Sequence, residues 1–261
     1  MSQPCYQVLA VRYATVERAR ASNFLHPVSG DPDAPMAMDF FVWLILGPGG
    51  AVLVDTGFSP ASALARGRRY LVAPAQALRL LGHAPESLSD VVITHLHYDH
   101  AGNVGDFPAA TAWVQQREVS YATGDCMCDA KQNHFFSTDD IALLIKRLYQ
   151  GKVRQIDGFH ALREGIELHR VGGHTDGLQV VRVHTARGWL VLASDAAHYY
   201  ENLALGNPFP AIFSLDDMLA GYARIRELAD GEDLIVPGHD PAVCTRFESA
   251  GVAGVHAYRI A

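Results

Sequence analysis

The chain has 261 residues, of which 49% are hydrophobic and 19% are charged, a balance that excludes intrinsic disorder and is typical of a globular protein. Its formal net charge is −7, and its one local group of basic residues, Arg66, Arg68 and Arg69, is interpreted as a solvated face, so we expect no nucleic-acid partner. The first twenty residues lack the basic start and apolar stretch of a signal peptide, and no apolar run reaches membrane-spanning length, so we expect a cytoplasmic protein with no membrane partner.

The first part of the chain is predicted to be mainly β-structure. Residues 6–16 suit a strand, and the apolar segments 40–47 and 51–57, joined by a Pro-Gly-Gly turn, predict a hairpin. Residues 74–82 have helical spacing, with proline at the start and glycine just past the end. A short buried strand is predicted over residues 90–95, and it runs directly into a cluster of histidines.

The middle of the chain alternates between the two kinds of element. Residues 111–116 predict a strand and residues 117–124 a short helix. An amphipathic helix is predicted over 138–150, with Thr138 as its cap, acidic residues in its first turn and basic residues near its end. The irregular, aromatic segment 125–137 before it is expected to line or cover a site.

The second half repeats this mixture without a linker or an internal repeat. Three strands are predicted in succession between residues 166 and 197, followed by a helix over 215–230 that Ser214 caps, and by a strand over 233–240. Strands in blocks, with helices between and after them, favour an α/β or α+β fold with two sheets packed face to face and helices outside. We expect a single domain over residues 1–261, and the apolar N-terminal stretch leaves a homodimer open.

Several predicted strands end in a histidine or an aspartate. If their ends meet at one sheet edge, that edge presents seven polar groups: His95, His97, Asp99, His100, His174, Asp195 and His239. The first four crowd into six positions, which neither a packed core nor a solvated turn requires. Seven nitrogen and oxygen ligands exceed the roughly four that one zinc ion takes and suit two metals sharing a carboxylate and a water. Imidazole and carboxylate ligands favour zinc, with iron, cobalt or manganese as alternatives.

The segment HLHYDH at residues 95–100 resembles the His-x-His-x-Asp-His motif of the metallo-β-lactamase superfamily. The segments VLVDTGF, GGHTDG, SDAA and VPGHDP, which begin at residues 52, 172, 194 and 236, match further motifs of that superfamily in order. The resemblance covers residues 40 to 247, nearly the whole chain.

This resemblance implies an αββα sandwich of two mixed sheets flanked by helices. It further implies that Asp195 bridges two divalent metal ions and that Asp55 orients a ligand histidine. The remaining ligands divide by the same analogy into one set of His95, His97 and His174, and another of Asp99, His100 and His239.

Within the superfamily the chain looks most similar to the N-acyl homoserine lactonase group, because of the phrase HLHYDHAGN, the complete ligand set, the extra N-terminal strand and the size. A member of that group carries a tyrosine three positions after the bridging aspartate, where this chain has His198, followed by Tyr199. Both are candidates to hold the carbonyl oxygen during reaction, and Asp99 is a candidate to pass a proton to the leaving group.

The predicted function is that of a metal-dependent hydrolase that opens a lactone, similar to an N-acyl homoserine lactone, with a metal-bridging hydroxide. The alternatives are a glyoxalase-II-like thioesterase, a phosphotriesterase, an arylesterase or a β-lactamase of the same fold. The substrate is expected to be a small molecule with little or no charge, because no lysine or arginine is evident near the motifs. Residues 201–213 are expected to form a loop on the wall of the substrate pocket.

Overall fold

Fourteen β-strands and nine α-helices make up the computed structural model, which describes residues 3–261. The strands are β1 (Gln7–Val16), β2 (Met38–Leu46), β3 (Val52–Val54), β4 (Arg69–Tyr70), β5 (Asp90–Val92), β6 (Thr111–Gln115), β7 (Val153–Ile156), β8 (Phe159–Arg163), β9 (Ile166–Arg170), β10 (Gln179–Thr185), β11 (Gly188–Ser194), β12 (Ile235–Pro237), β13 (Glu248–Ser249) and β14 (His256–Arg259). The helices are α1 (Pro60–Ala65), α2 (Pro74–Leu80), α3 (Tyr98–Ala101), α4 (Gln116–Ala122), α5 (Ala130–Asn133), α6 (Thr138–Tyr149), α7 (Tyr200–Leu205), α8 (Leu215–Leu228) and α9 (Val243–Arg246).

The strands form two mixed sheets. The first has nine strands in the order β13-β14-β1-β2-β3-β5-β6-β7, with β4 also paired to β1. In it β3, β5, β6 and β7 run parallel to one another. The second sheet has the order β12-β11-β10-β9-β8, and in it β11 and β12 are the parallel pair. Parallel neighbours place their carboxyl ends at the same sheet edge, which is how residues distant in sequence are brought together.

The alternation of side chains along the central strands produces three apolar layers. On β2, Phe40, Val42 and Leu44 pack against the helices that cover the first sheet, whereas Phe41, Trp43 and Ile45 face the second sheet. Because both faces of β2 are buried, its sequence is a continuous apolar run without polar alternation. A third layer joins the second sheet to α8 and contains Val180, Val191, Met218, Tyr222 and Ile225. The result is an αββα sandwich, which confirms the predicted fold class.

The predicted helices over 74–82 and 215–230 are confirmed as α2 and α8, and the Ser214 hydroxyl accepts a hydrogen bond from the Asp217 amide at 3.3 Å. The cap assigned to Thr138 is wrong. Ser137 has the extended backbone of a cap residue and accepts from the Asp140 amide, while Thr138 is already helical.

Some elements differ from the sequence prediction. The segment 201–213 is not a loop throughout, because α7 occupies its start, with the Asn202 side chain accepting from the Tyr199 amide at 3.0 Å. Strands β7, β8, β13 and β14 were not predicted; β8 has no buried residue and lacks the apolar run or alternation that identifies a strand. Within the part of the chain that the structure describes, no helix combines the length and apolar character needed to cross a membrane.

Candidate metal centre

The ends of four strands deliver the seven predicted ligands to one place between the sheets, and a fifth strand delivers Asp55. Parallel neighbours β3 and β5 lead into Asp55 and into the histidine cluster of α3, while parallel neighbours β11 and β12 lead into Asp195 and His239. His174 follows β9 after two glycines. Six of the seven ligands are buried, and Asp99 is partly buried.

Two residues beside the predicted ligands have a left-handed backbone. Asp55 has φ 62° and Ser194 has φ 46°, which is uncommon for residues other than glycine and costs on the order of 1–3 kcal/mol each. The Thr94 hydroxyl, 2.8 Å from Asp55 Oδ2 and 2.8 Å from Ser194 Oγ, connects them. The sheets therefore meet at this edge through a buried polar network that also positions Asp195.

Two glycines allow the other ligand loops to approach their neighbours. Gly173 has φ +93°, and a Cβ there would lie 2.5 Å from the Met218 Cα. A Cβ on Gly238 would lie 2.8 Å from the carbonyl carbon of Ser194. Any larger residue would push His174 or His239 away from the site.

The two carboxylate oxygens of Asp195 face different groups of histidines. Oδ1 lies 3.2 Å from His100 Nε2 and 3.1 Å from His239 Nε2. Oδ2 lies 3.2 Å from His174 Nε2 and 3.8 Å from His95 Nε2. One carboxylate thus spans two sets of side chains.

The donor atoms of each set lie close enough together to bind one ion. The nitrogens of His95, His97 and His174 lie within 4.8 Å of one another, and His97 Nδ1 is 3.0 Å from His174 Nε2. One carboxylate oxygen of Asp99 and one nitrogen each of His100 and His239 form a second group of the same size. These are the two sets that the family resemblance implies.

The donor atoms fit metal ions. His95 Nε2 and His100 Nε2 are buried and make no hydrogen bond to any residue in 3–261, although an unsatisfied buried polar atom costs about 1–3 kcal/mol. The opposite nitrogens of several ligands are engaged: His100 Nδ1 with Asp55 at 2.7 Å, His174 Nδ1 with the Ala211 carbonyl at 2.6 Å, and His239 Nδ1 with the Asp39 carbonyl at 2.8 Å. Such contacts fix the tautomer that leaves Nε2 free to bind a metal.

The electrostatics keep His95, His97 and Asp195 in the forms that bind metal. In His100 and His239 burial alone would lower the pKa, but the charge of Asp195 raises it above 6.5. Burial lowers the pKa of His95 and of His97 well below 6.5, so both rings are neutral. Burial alone would raise the pKa of the Asp195 carboxyl, but the surrounding histidines, led by His198, lower it well below its usual value. Neutral imidazoles and an ionised carboxylate are the states required for coordination.

His198 and Tyr199, the two candidates for a role at the carbonyl, lie in different places. His198 Nε2 is 3.1 Å from Asp195 Oδ2, and its ring is stacked on Phe209 with centroids 4.0 Å apart. Burial lowers the pKa of His198 to about 3, so the ring is neutral. Tyr199 is buried in the core beside the first sheet, where its hydroxyl donates to the Ala37 carbonyl at 3.2 Å. Of the two, His198 is the one that lines the cavity.

A solvent-open cavity of about 450 Å³ lies over this centre. Its walls include Phe40, Tyr98 and Phe209, and Phe135 stacks on His97 with centroids 5.1 Å apart. The aromatic segment 125–137 therefore lines the site, as predicted. Arg18, Arg66 and Arg68 also line the cavity. The interpretation of Arg66 and Arg68 as a solvated face is wrong, because the turn after α1 folds back over the site.

Glu118, in α4, is a functional residue that the sequence did not reveal. Its carboxylate is fully buried and accepts hydrogen bonds from the Leu96 amide at 2.8 Å, the Thr175 hydroxyl at 2.6 Å and the Gly177 amide at 3.0 Å. It thus connects the loop that carries His95 and His97 to the loop that carries His174. A lone glutamate in a short helix gives no sequence signal of this role.

We expect Glu118→Gln to weaken metal binding by about 10–100-fold, because the one amide oxygen can accept from only one of the two loops, and the other loop would face an amide nitrogen that cannot accept. Competition with a chromophoric chelator measures this change. The exposed Glu248→Gln is the matched control. Metal affinity equal to that of the wild type in Glu118→Gln would show that the loops hold their positions without it.

Known proteins are similar to this chain in sequence. The family model described as the metallo-beta-lactamase superfamily matches residues 41–239. An N-acyl homoserine lactonase from a Bacillus species is 31% identical over 165 residues, 62% of this chain and 60% of the relative. The chain therefore spans about 60% of the length of the curated lactonases that it matches.

Solved structures share the fold. A quorum-quenching N-acyl homoserine lactone lactonase superposes with a TM-score of 0.76 at 23% identity, covering 93% of this chain and 95% of the other. AidC, a dizinc quorum-quenching lactonase in complex with a product, superposes with a TM-score of 0.73 at 16% identity, covering 92% and 90%. At these identities the similarity establishes the architecture.

Proposed function

Because the chain belongs to the metallo-beta-lactamase superfamily and is a metallo-hydrolase of that fold, we propose that it opens lactones, cyclic esters similar to N-acyl homoserine lactones. The observation that carries the proposal is the division of the ligands between the two oxygens of Asp195, above a cavity that also exposes Asp99 and His198. The similarity to lactonases in sequence supports the choice of a cyclic ester.

Two divalent cations, with zinc favoured by the histidine and aspartate donors, would occupy this centre. His95, His97 and His174 would hold one ion. Asp99, His100 and His239 would hold the other. Asp195 would lie between them, and residues 1–261 would act as one domain.

When bound, two such cations would act as Lewis acids toward the ester carbonyl and would lower the pKa of a water molecule toward neutrality. Asp99, partly exposed to the cavity, would pass a proton to the departing alkoxide oxygen. His198, fixed between Asp195 and the face of Phe209, would donate a hydrogen bond to the carbonyl oxygen. The aromatic walls would exclude water from the other faces of the substrate.

A substrate panel tests the proposal on zinc-loaded protein whose metal content has been measured. It comprises N-acyl homoserine lactones of several chain lengths, γ- and δ-lactones, an aryl ester, a thioester, a phosphotriester and a cephalosporin. Ring opening is followed by proton release. We expect a lactone to have the highest kcat/KM. A thioester, aryl ester or phosphotriester hydrolysed faster than every lactone would replace this function with another of the same fold.

The roles of the two neighbouring candidates can be separated by substitution. We expect His198→Ala to lower kcat for lactones by about tenfold with metal content unchanged, a smaller loss than for a sole oxyanion donor because the metals share that task. Tyr199→Phe removes a hydroxyl that reaches only the Ala37 carbonyl among the described residues and should leave kcat unchanged. Steady-state kinetics of both variants measure this. A larger loss in Tyr199→Phe than in His198→Ala would reverse the assignment.

A further inference from the structure

We propose that Arg18, Arg66 and Arg68 form an anion-binding subsite, and that the preferred substrate is a lactone carrying a separate carboxylate or phosphate group. The inference rests on the proposed function, because it names the substrate class of the same cavity. It departs from the sequence-based expectation of a substrate with little or no charge.

The three arginines reach the cavity from one side of the first sheet. Strands β1 and β4 pair antiparallel through Thr15 and Arg69, so the chain just after β1 lies beside the chain just before β4. Arg18 and Arg68 lie on these two segments, and Arg66 is the C-cap residue that directly follows α1. All three are partly buried and line the cavity that also contains Asp99, Asp195 and His198.

These guanidinium groups have no acidic partner. Among residues 3–261, no carboxylate oxygen lies within 4.0 Å of a nitrogen of Arg18, Arg66 or Arg68; Asp140 is an acid near Arg66 but lies farther away. Three other partly buried arginines of this chain pair with acids, namely Arg12 with Asp39, Arg20 with Glu201 and Arg163 with Asp90, whereas Arg147 and Arg170 donate to backbone carbonyls. The chain has a net charge of −7, so acidic residues are in excess, and yet none pairs with these three arginines. Because unpaired, partly buried charge is unfavourable, we infer that an anion from outside the chain binds there.

Part of each guanidinium is engaged, and part is free for a ligand. Arg18 donates through Nε to the Asn23 side chain at 2.8 Å and through Nη2 to the Ser22 carbonyl at 2.9 Å. Arg66 Nη2 donates to the His134 carbonyl at 3.0 Å, and Arg68 Nε donates to the Tyr98 hydroxyl at 3.3 Å. Both Nη atoms of Arg68, and Nη1 of the other two, have no hydrogen-bond acceptor in the described chain. Arginine Nη atoms are the donors that bind carboxylate and phosphate oxygens.

Aromatic rings of the cavity wall hold the guanidinium groups in position. The Arg66 guanidinium carbon lies 3.9 Å from the centroid of Tyr98, that of Arg18 5.1 Å from Phe209, and that of Arg68 5.9 Å from Phe40. Stacking restricts each guanidinium while leaving its edge free for hydrogen bonds. Phe209 also stacks on His198, so the subsite is built onto the same wall as the reacting centre.

The arrangement predicts how a substrate lies in the cavity. With the ester at Asp195 and His198, an anionic group elsewhere on the molecule would reach the arginines. A long apolar acyl chain would instead desolvate unpaired positive charge, which is unfavourable. The subsite therefore selects for a lactone with an acidic substituent and against a long neutral one.

Matched substrates test the inference on zinc-loaded protein: a γ-lactone with a ring carboxylate, the corresponding carboxamide, and a phosphorylated hydroxymethyl γ-lactone. We expect the anionic lactones to exceed the carboxamide in kcat/KM by about tenfold or more, with the advantage declining as salt is added. The faster of the carboxylate and the phosphate identifies the preferred anion. Equal rates for the anionic and neutral lactones would overturn the inference while leaving the lactonase function intact.

Variants distinguish ligand binding from a structural role of the arginines. Arg68→Gln should raise KM for the anionic lactones by about tenfold and should affect KM for the neutral carboxamide much less, because only the anionic lactones lose a charge partner. Arg69→Gln, the exposed neighbour, is the matched control. An equal loss on charged and neutral lactones would assign Arg68 to the fold and overturn the inference.

Isothermal titration calorimetry tests the anion-binding subsite even if the protein opens no lactone. Glutarate, compared with glutaramide, is titrated into the zinc-loaded wild type and into Arg68→Gln. Glutarate binding that is weakened in the variant would support the subsite although the lactonase proposal had failed. Glutarate binding that is the same in both proteins would overturn it.

Discussion

Asp195→Ala is expected to abolish metal retention and hydrolysis together, with kcat/KM reduced by at least about 1,000-fold. The reason lies in the position of this carboxylate, whose Oδ1 faces His100 and His239 and whose Oδ2 faces His174 and His95. Removing it takes one donor from each ligand set and the negative charge that offsets two cations. Metal analysis after gel filtration, together with lactone kinetics, measures both effects.

The matched variants for this prediction are Asp195→Asn and Asp216→Ala. Asp195→Asn preserves size and one carbonyl oxygen, so it should retain more metal than Asp195→Ala while still losing most activity. Asp216 is exposed in the first turn of α8, and its replacement should change neither metal content nor rate. Two ions per chain with unchanged turnover in Asp195→Ala would refute the arrangement of the centre.

The sequence predicted the members of the metal centre because their signals are local. Four of the predicted ligands lie in a six-residue segment that follows β5, and each of the others lies a few residues after the end of a strand. Parallel pairing then brings these strand ends to one sheet edge. The predicted strands therefore already suggested that the residues after them lie close together. The alternation of strands and helices indicated an α/β or α+β fold with two packed sheets and outer helices, and the family resemblance implied the αββα sandwich.

Other residues of the site depend on tertiary contacts that have no local signature. Arg18 and Arg68 are neighbours only because β1 pairs with the two-residue strand β4, which is too short to leave a pattern. Glu118 is identified only by the two loops that it joins. The adjacent candidates His198 and Tyr199 separate because the backbone at Tyr199 is extended, and successive side chains of extended backbone point in opposite directions.

These residues also show how the site divides its tasks. With cations bound, the Asp195 centre would provide positive charge at the reacting bond, and the arginines would add positive charge at the cavity wall. Glu118 and Asp55 lie behind the predicted ligands and would compensate part of this charge through hydrogen bonds to the ligand loops and to His100. These two carboxylates would thus support the centre from outside the cavity and leave the arginine side of the cavity suited to an anionic group.

Removing the metals is expected to have the second large effect, on stability as well as on activity. The buried Nε2 atoms of His95 and His100 would be left without any partner in the described chain, and the ligand sets would lose what holds the two sheet edges together. Binding at 1,000 times the dissociation constant stabilises a protein by about 4 kcal/mol per ion, so chelation should lower Tm by at least about 10 °C. Differential scanning calorimetry with and without a chelator measures the shift.

Adding different metals back to the chelated protein tests whether imidazole and carboxylate donors bind the ions. Zinc should restore both Tm and lactone hydrolysis, cobalt and manganese should restore them at higher concentrations, and magnesium should restore neither, because neutral imidazole binds it poorly. His97→Ala should bind less metal per chain at the end of this titration. The substitution removes one donor of a single set and leaves Asp99, His100 and His239 in place. If chelation leaves Tm unchanged, or magnesium restores it, the buried histidines are held by something other than the divalent cations proposed for this centre.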